Sequence, residues 1–357
     1  MPPILRTRLT AASVLGMLAV FVGNALWLES SAALAGDRLV LSLPIACDVG
    51  QDCFVQSYVD LKDGPGVLDH RCGSATYDGH KGVDFRVRSA ADAAKGVSVL
   101  AAAPGVVKGL RDGMRDRLIA PDGRDKSLVA GRECGNGVVI DHGGGWETQY
   151  CHLKRNSVVV RKGDKVSRGT VLGDVGYSGA AAFAHLHLSV RSNGRVIDPF
   201  SGKRVSKSLA CPSGGQVIGD IGTDKTGLWE PGLSKQIRYT SGVVIDVGFA
   251  GGAPKKRDLE FLRSFPKPTL RSAALVFFAR AINVRKGDRL ALELTGPDGF
   301  SVSTRGEPMD RNRALWMTFA GKKLRKQSWT VGRYTGKATV YRNGDPISVQ
   351  TLNLNLD

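Results

Sequence analysis

The chain of 357 residues lacks several things, and each lack excludes a class of protein. Its six cysteines contain no Cys-x-x-Cys pair, so a thiolate-rich metal or redox centre is not expected. It has no His-Glu-x-x-His, which removes the helical zinc proteases with a glutamate base. The glycine run Gly143 to Gly145 has no phosphate-loop context and reads as a turn. After Leu28 no run is long and apolar enough to span a bilayer. Beyond Cys211 there is neither histidine nor cysteine. Acid is also scarce: 33 Asp and Glu face 50 Lys and Arg, for a net charge of +17. The basic residues are scattered, with short clusters at Lys255-Lys256-Arg257 and Lys322-Lys323-Leu324-Arg325-Lys326. No recognition motif accompanies them, so nucleic acid is not an expected partner.

What is present begins with an export signal. Arg6 and Arg8 form a basic start, Leu9 to Leu28 is mostly apolar, and Ala33-Leu34-Ala35 before Gly36 has the small-x-small form of a cleavage site. Residues 1–35 therefore read as a signal peptide, with retention as a membrane anchor the alternative, since the apolar run is about 20 residues. Export predicts a periplasmic or secreted protein and makes disulfides the natural use of an even number of cysteines. Fifteen pairings are open. Cys134 and Cys151 flank a hairpin turning at Gly143 to Gly145 and are the first choice; Cys47 with Cys53 is the second, leaving Cys72 with Cys211. Outside the cytoplasm, a basic surface has acidic partners in peptide-stem carboxylates, anionic wall polymers and lipid headgroups.

The texture of the chain is all-β. Residues 36–76 carry three cysteines and little periodicity and read as a disulfide-tied segment leading into the next domain. From Tyr77 to Phe200 come short β-rich runs with glycine turns: Gly82 to Val87, Val97 to Ala103, Gly105 to Gly109, Asn136 to His142, Thr148 to Leu153, Ser157 to Val160, Val171 to Val175 and His185 to Arg191. No long amphipathic helix interrupts them, which predicts an antiparallel β domain over 77–211. The charged, aperiodic stretch from Arg111 to Arg132 reads as a loop at the rim of a site. After a Gly/Ser-rich joint at Pro212 to Gly215, alternation at Leu290, Leu292 and Leu294 and the turn Asn343-Gly344 predict a second unit over 216–357, an immunoglobulin-like β-sandwich.

All six histidines, at 70, 80, 142, 152, 185 and 187, fall in the first unit or its leading segment, which argues for one shared site. The sharpest pieces are His80-Lys81-Gly82-Val83-Asp84, the run Asn136 to Gly143, Thr148 to Leu153, and His185-Leu186-His187, whose alternation on a strand puts both imidazoles on one face. Together these resemble the LytM/lysostaphin-type zinc endopeptidases, enzymes with a duplicated-hybrid-motif β fold that cut peptide cross-links of bacterial peptidoglycan. The resemblance covers about Tyr77 to Phe200, including Val160 to Val166 and Ile197-Asp198-Pro199.

The resemblance implies roles. His80, Asp84 and His187 would hold zinc, two imidazoles and one carboxylate with a fourth position open to water, as in a catalytic rather than a structural site. His152 and His185 would be the two catalytic histidines, one taking a proton from the zinc-activated water and either stabilising the oxyanion. His142 reads as structural and His70 as a surface histidine; Asn136, Tyr150 and Asp198 read as braces for strands or rim. Ala184 stands where the family commonly has proline and Leu188 where an aromatic residue is usual, and neither change removes a ligand. The expected function is hydrolysis of cross-links or stem peptides in peptidoglycan, with an envelope protein as a further partner of the sandwich. A non-catalytic activator of other wall hydrolases is the alternative, and an envelope adhesin a third reading. In thin-walled bacteria the family implies a D-Ala to diaminopimelate bond, with pentaglycine as the contrasting substrate.

Overall fold

Alternating apolar and polar residues between glycine turns leave the backbone little choice but extended pairing, and nearly all regular structure here is β. The computed structural model describes residues 38–120, 123–206, 227–261 and 265–357. The expected signal peptide, the joint at Pro212 to Gly215 and Cys211 lie outside them. The first region is an eight-stranded antiparallel sheet in the order β1 (Cys53–Ser57), β2 (Val83–Val87), β9 (His185–Ser192), β6 (Trp146–Leu153), β5 (Asn136–Gly143), β4 (Gly105–Arg111) and β7 (Lys165–Val166), with β10 (Arg195–Ile197) beside β9. A two-stranded ribbon of β3 (Ser98–Leu100) and β8 (Val171–Asp174) completes it. One short helix, α1 (Ala90–Ala94), follows β2; the Ser89 hydroxyl caps it by accepting the Asp92 amide at 3.1 Å.

The leading segment is built into this sheet: β1 pairs with β2, and Tyr58, Val59 and Leu61 join the same apolar core as Phe85, Leu186 and Leu188. So do Leu228, Trp229, Leu233 and Ile237, from the stretch expected to open the second unit, because Leu41 binds the Leu228 carbonyl and bridges to Trp229. Cys47–Cys53 and Cys134–Cys151 are disulfides. Cys72 is disulfide-bonded as well. The hairpin between β5 and β6 turns through Gly143, Gly144 and Gly145, all at positive φ, a conformation only glycine adopts freely in succession.

The expected strand at Ser157 to Val160 does not form. Among the described residues only the Val159 amide of this stretch reaches a strand, at the Leu172 carbonyl of β8; the Asp112 carboxylate accepts the Val158 N–H at 3.3 Å and that of the preceding Asn156 at 2.7 Å, and Ser157 donates to the Lys154 carbonyl. Asp112 belongs to the rim loop, whose Asp116 likewise accepts the Arg155 and Tyr177 amides at 2.9 and 2.8 Å. Two carboxylates thus tie the loop down beside Ser178.

The second region is a sandwich. One sheet holds β11 (Val243–Ala250), β12 (Ala274–Val284) and β15 (Arg313–Lys323); the other runs β14 (Ser301–Arg305), β13 (Arg289–Thr295), β16 (Gly332–Arg342) and β17 (Asp345–Leu356). Phe277, Ala279, Leu290, Leu292, Leu294, Tyr334 and Val340 fill the space between them. The fourth strand of this unit, β14, pairs with the third, whereas the constant-type immunoglobulin order pairs the fourth with the fifth. A short helix, α2 (Lys256–Phe261), lies between β11 and β12.

Strand β12 reads Ala-Leu-Val-Phe-Phe-Ala-Arg-Ala-Ile-Asn-Val and is buried at almost every position. Burial on both faces removes the period-two pattern. One face enters the sandwich core. The other meets the first region: Ile282 packs with Phe54 of β1, and Asn283 Nδ2 donates to the Gln56 carbonyl at 2.9 Å. Among the described residues no helix is long and apolar enough to cross a membrane.

Candidate metal and catalytic site

Strand register brings most of the site together. In the pairing of β2 with β9, Asp84 stands directly opposite His187 and Arg86 opposite His185, so Asp84 and His187 share one face. On that strand Leu186, Leu188 and Val190 enter the core while His185, His187 and Ser189 point the other way. His80 arrives from the turn before β2, four residues ahead of Asp84. Gly82 between them has a steric reason: a Cβ there would meet His187 Nε2 and the Leu188 carbonyl, each at 2.6 Å.

His152 reaches the same face by a break in alternation. Asn136 pairs with Leu153 and Gly137 with Cys151, so His152 is the extra residue of a β-bulge, and its φ is 65°. Leu153 still enters the core, and the His152 ring lies 4.6 Å from that of His185 and 5.9 Å from that of His187.

The hydrogen bonds assign the tautomers. His80 Nδ1–H donates to the Tyr58 carbonyl at 2.7 Å, which leaves Nε2 bare. The Ser189 hydroxyl spends its proton on the Lys81 carbonyl at 2.6 Å, so its oxygen accepts His187 Nε2–H at 3.1 Å and leaves His187 Nδ1 bare. The two bare nitrogens are 3.1 Å apart, and Asp84 Oδ1 is 3.1 Å from one and 2.9 Å from the other. In these tautomers the three ligand atoms converge within about 3 Å of one another, an arrangement suited to a bound cation. The edges of a tetrahedral zinc site with bonds near 2.0 Å are about 3.3 Å, so the triangle has the right size and chemistry for that ion. Among the described residues the other cluster of metal-binding side chains is Cys47, Asp52 and Cys53, whose two sulfurs are consumed by their disulfide.

His152 Nδ1–H donates to the Ser178 carbonyl at 2.7 Å and His185 Nδ1–H to the Phe183 carbonyl at 2.9 Å, so each keeps a bare Nε2; that of His185 lies 3.5 Å from Asp84 Oδ1. Burial lowers the pKa of His152 well below its ordinary value, and the neighbouring His185 and His187 add to the shift. Burial likewise lowers His185 and His187. Burial pushes the Asp84 carboxyl up, but the imidazoles of His80, His185 and His187 outweigh it and hold it well below the usual range. The site thus sets an ionised carboxylate beside His152, His185 and His187, whose burial favours the neutral ring. Of the three converging side chains His187 is the most open, with 14% of its side chain exposed against 1% and 3% for His80 and Asp84.

The remaining polar residues brace. His142 bonds the Pro104 carbonyl at 2.6 Å and Thr148 Oγ1 at 2.8 Å. Tyr150 accepts the Ala102 amide, and Asn136 clamps Met114 and Leu153. Asp198 accepts the Ser201 amide and hydroxyl. His70 is no surface histidine: its ring stacks on Phe200 at 4.7 Å and meets the edge of Tyr58, and burial lowers its pKa. Sequence reading missed Ser189, although its place two residues after His187 on one strand face was a usable signal. It also missed the carbonyls of Tyr58, Ser178 and Phe183, which carry no side-chain signature.

Residues 78–199 match the profile of Peptidase family M23. The peptidoglycan DD-endopeptidase ShyA of Vibrio cholerae is 42% identical over 64 residues, 18% of this chain and 14% of that protein. The DD-carboxypeptidase/endopeptidase Mpg of Neisseria meningitidis is 32% identical over 124 residues, 34% of this chain and 22% of that protein. The matched stretch thus spans less than a quarter of these relatives' length. Among solved structures, a zinc-containing peptidase from Vibrio cholerae overlaps 42% of this chain and 39% of its own, with 23% identity and a TM-score of 0.26.

Proposed function

We propose that this chain, whose residues 78–199 match peptidase family M23, is an exported zinc metallo-endopeptidase that hydrolyses peptide cross-links or stem peptides of peptidoglycan. The observation that carries the reading is the convergence of His80 Nε2, His187 Nδ1 and Asp84 Oδ1 within about 3 Å of one another. These three would hold the metal. Zinc bound there supplies Lewis-acid chemistry, lowering the pKa of a water toward about 7 and polarising the scissile carbonyl.

The rest falls to the chain. His152 and His185, neutral and each with a bare Nε2, are suited to take the proton of the attacking water, and the imidazolium so formed can donate to the oxyanion. The Ser178 and Phe183 carbonyls hold both rings in the tautomer that this requires. The expected signal peptide and the disulfides support export to the periplasm or beyond. The basic surface suits the carboxylates of stem peptides. Relatives named as DD-endopeptidases favour a D-Ala to diaminopimelate cross-link over pentaglycine.

Purified zinc-loaded chain incubated with purified sacculi tests the proposal. It should release muropeptide fragments, and a His187→Ala control should release none. Identical behaviour of the two would overturn the peptidase and leave a non-catalytic wall-binding role.

A further inference from the structure

Behind His185 runs a line of contacts that this chemistry does not use. Arg86, opposite His185 across the β2–β9 pair, is fully buried. Its guanidinium lies over the Phe183 ring, 4.7 Å from the centroid. That ring is 4.4 Å from the His185 imidazole, and the Phe183 carbonyl is the acceptor that sets the His185 tautomer. Arg86 therefore packs on the residue that fixes both the proton position and the tilt of His185.

A buried guanidinium persists only with partners. One is Gln56 Oε1, at 2.8 Å. The other is Glu260 Oε2, from α2 in the second region. The second oxygen of Glu260 lies 3.4 Å from the guanidinium of Arg280 on β12, which is also buried and is held by Asp246 and the Arg88 carbonyl. Two like charges thus share the Glu260 carboxylate. Without it, their repulsion in a place that water does not screen would shift Arg86 off the Phe183 ring.

We propose that Glu260 is a positioning residue for His185: acting through Arg86 and Phe183, it makes the docked sandwich part of the hydrolytic centre. The consequence for turnover rests on the peptidase reading above; the consequence for the His185 ring does not. Sequence alone could not pair Glu260 with Arg86, because 174 residues separate them.

The test uses the full chain labelled with nitrogen-15 in its histidine rings, beside Glu260→Gln and Phe183→Leu variants. The parent should show His185 as a single Nδ1–H tautomer. Each variant should shift or split that signal while the His80 and His187 signals and the zinc-to-protein ratio stay unchanged. On cross-linked muropeptides kcat should fall about tenfold with KM constant. The double variant should be no slower than the slower single one, because both act on one ring. Phe183→Leu leaves the Arg86–Glu260 pair in place, so it probes the same line of contacts even if Glu260→Gln loosens the docking. Parent-like His185 signals in both variants, or kcat losses that multiply in the double variant, would overturn the proposal. A parent chain without turnover would refute the peptidase reading alone, since the ring signals still decide the role of Glu260.

Discussion

The two β regions obey the same pairing rules and differ in what they bury. The sandwich fills its central cluster with Leu, Val, Phe, Ala and a few larger apolar or aromatic residues, and its buried Arg280 and Asn283 bond to the first region. The eight-stranded sheet has an apolar core on one side and, on the other, buries His80, Asp84, His152 and His185, each with a polar partner. Burial of such groups costs stability unless every hydrogen bond is made. Three of those partners here are backbone carbonyls held by strand ends and turns. The contrast teaches that the sandwich buries mainly apolar surface, whereas the sheet gives one face to buried polar side chains whose partners come from strand ends and turns.

The largest effect that would sharpen this contrast is expected from His187→Ala. It removes one of the three converging donors, so zinc and activity should vanish together; metal analysis by mass spectrometry beside a muropeptide assay reads both. His152→Ala should instead keep zinc and lose about 10²- to 10⁴-fold in kcat, the usual worth of a general acid–base. His185→Ala should behave likewise, and metal loss from either variant would break the division between holders and proton carriers.

In the sandwich, Leu292→Ala should cost about 2–5 kcal/mol of stability by leaving a cavity among buried neighbours. Its zinc content at temperatures below unfolding should match the parent. Calorimetry gives the first and metal analysis the second; a variant that loses zinc while folded would erase the distinction between the regions.

The smallest effect is expected with pH. Burial lowers the pKa of His142, His152 and His185, so the unfolded chain takes up these protons near pH 6.5 and the folded chain only at lower pH. Their neutral burial is therefore fully tolerated above about pH 6.5, and stability drains as pH falls below it, with a slope of about 1.4 kcal/mol per pH unit for each proton of difference. Melting temperatures of chelated protein from pH 8 to 5.5 should fall on the acid side. A flat profile would mean that the sheet does not hold its histidines neutral.

Much of this was legible in the chain. The β character follows from alternation and glycine turns, and Cys134–Cys151 from a hairpin that places both residues within reach. His185 and His187 share a face because a strand has period two. His70 was misread because its neighbours in sequence are polar, whereas its neighbours in space are Tyr58 and Phe200. Ser157 to Val160 does not form the expected strand, although β-branched residues favour one, because the Val158 amide goes to the distant Asp112 carboxylate and the Ser157 amide to the Lys154 carbonyl.

By itself the sequence determined the type of structure, the spacing His80-x-x-x-Asp84 and the residue kinds able to hold a cation, because these depend on local geometry and side-chain chemistry. Tertiary structure alone decided that His80 and His187, 107 residues apart, face each other across 3.1 Å, that a bulge turns His152 into the site, and that Glu260 reaches Arg86. The physical reason is that tautomer, bulge and docking are set by backbone carbonyls and shared charges from remote segments, and no local pattern encodes which remote segment arrives.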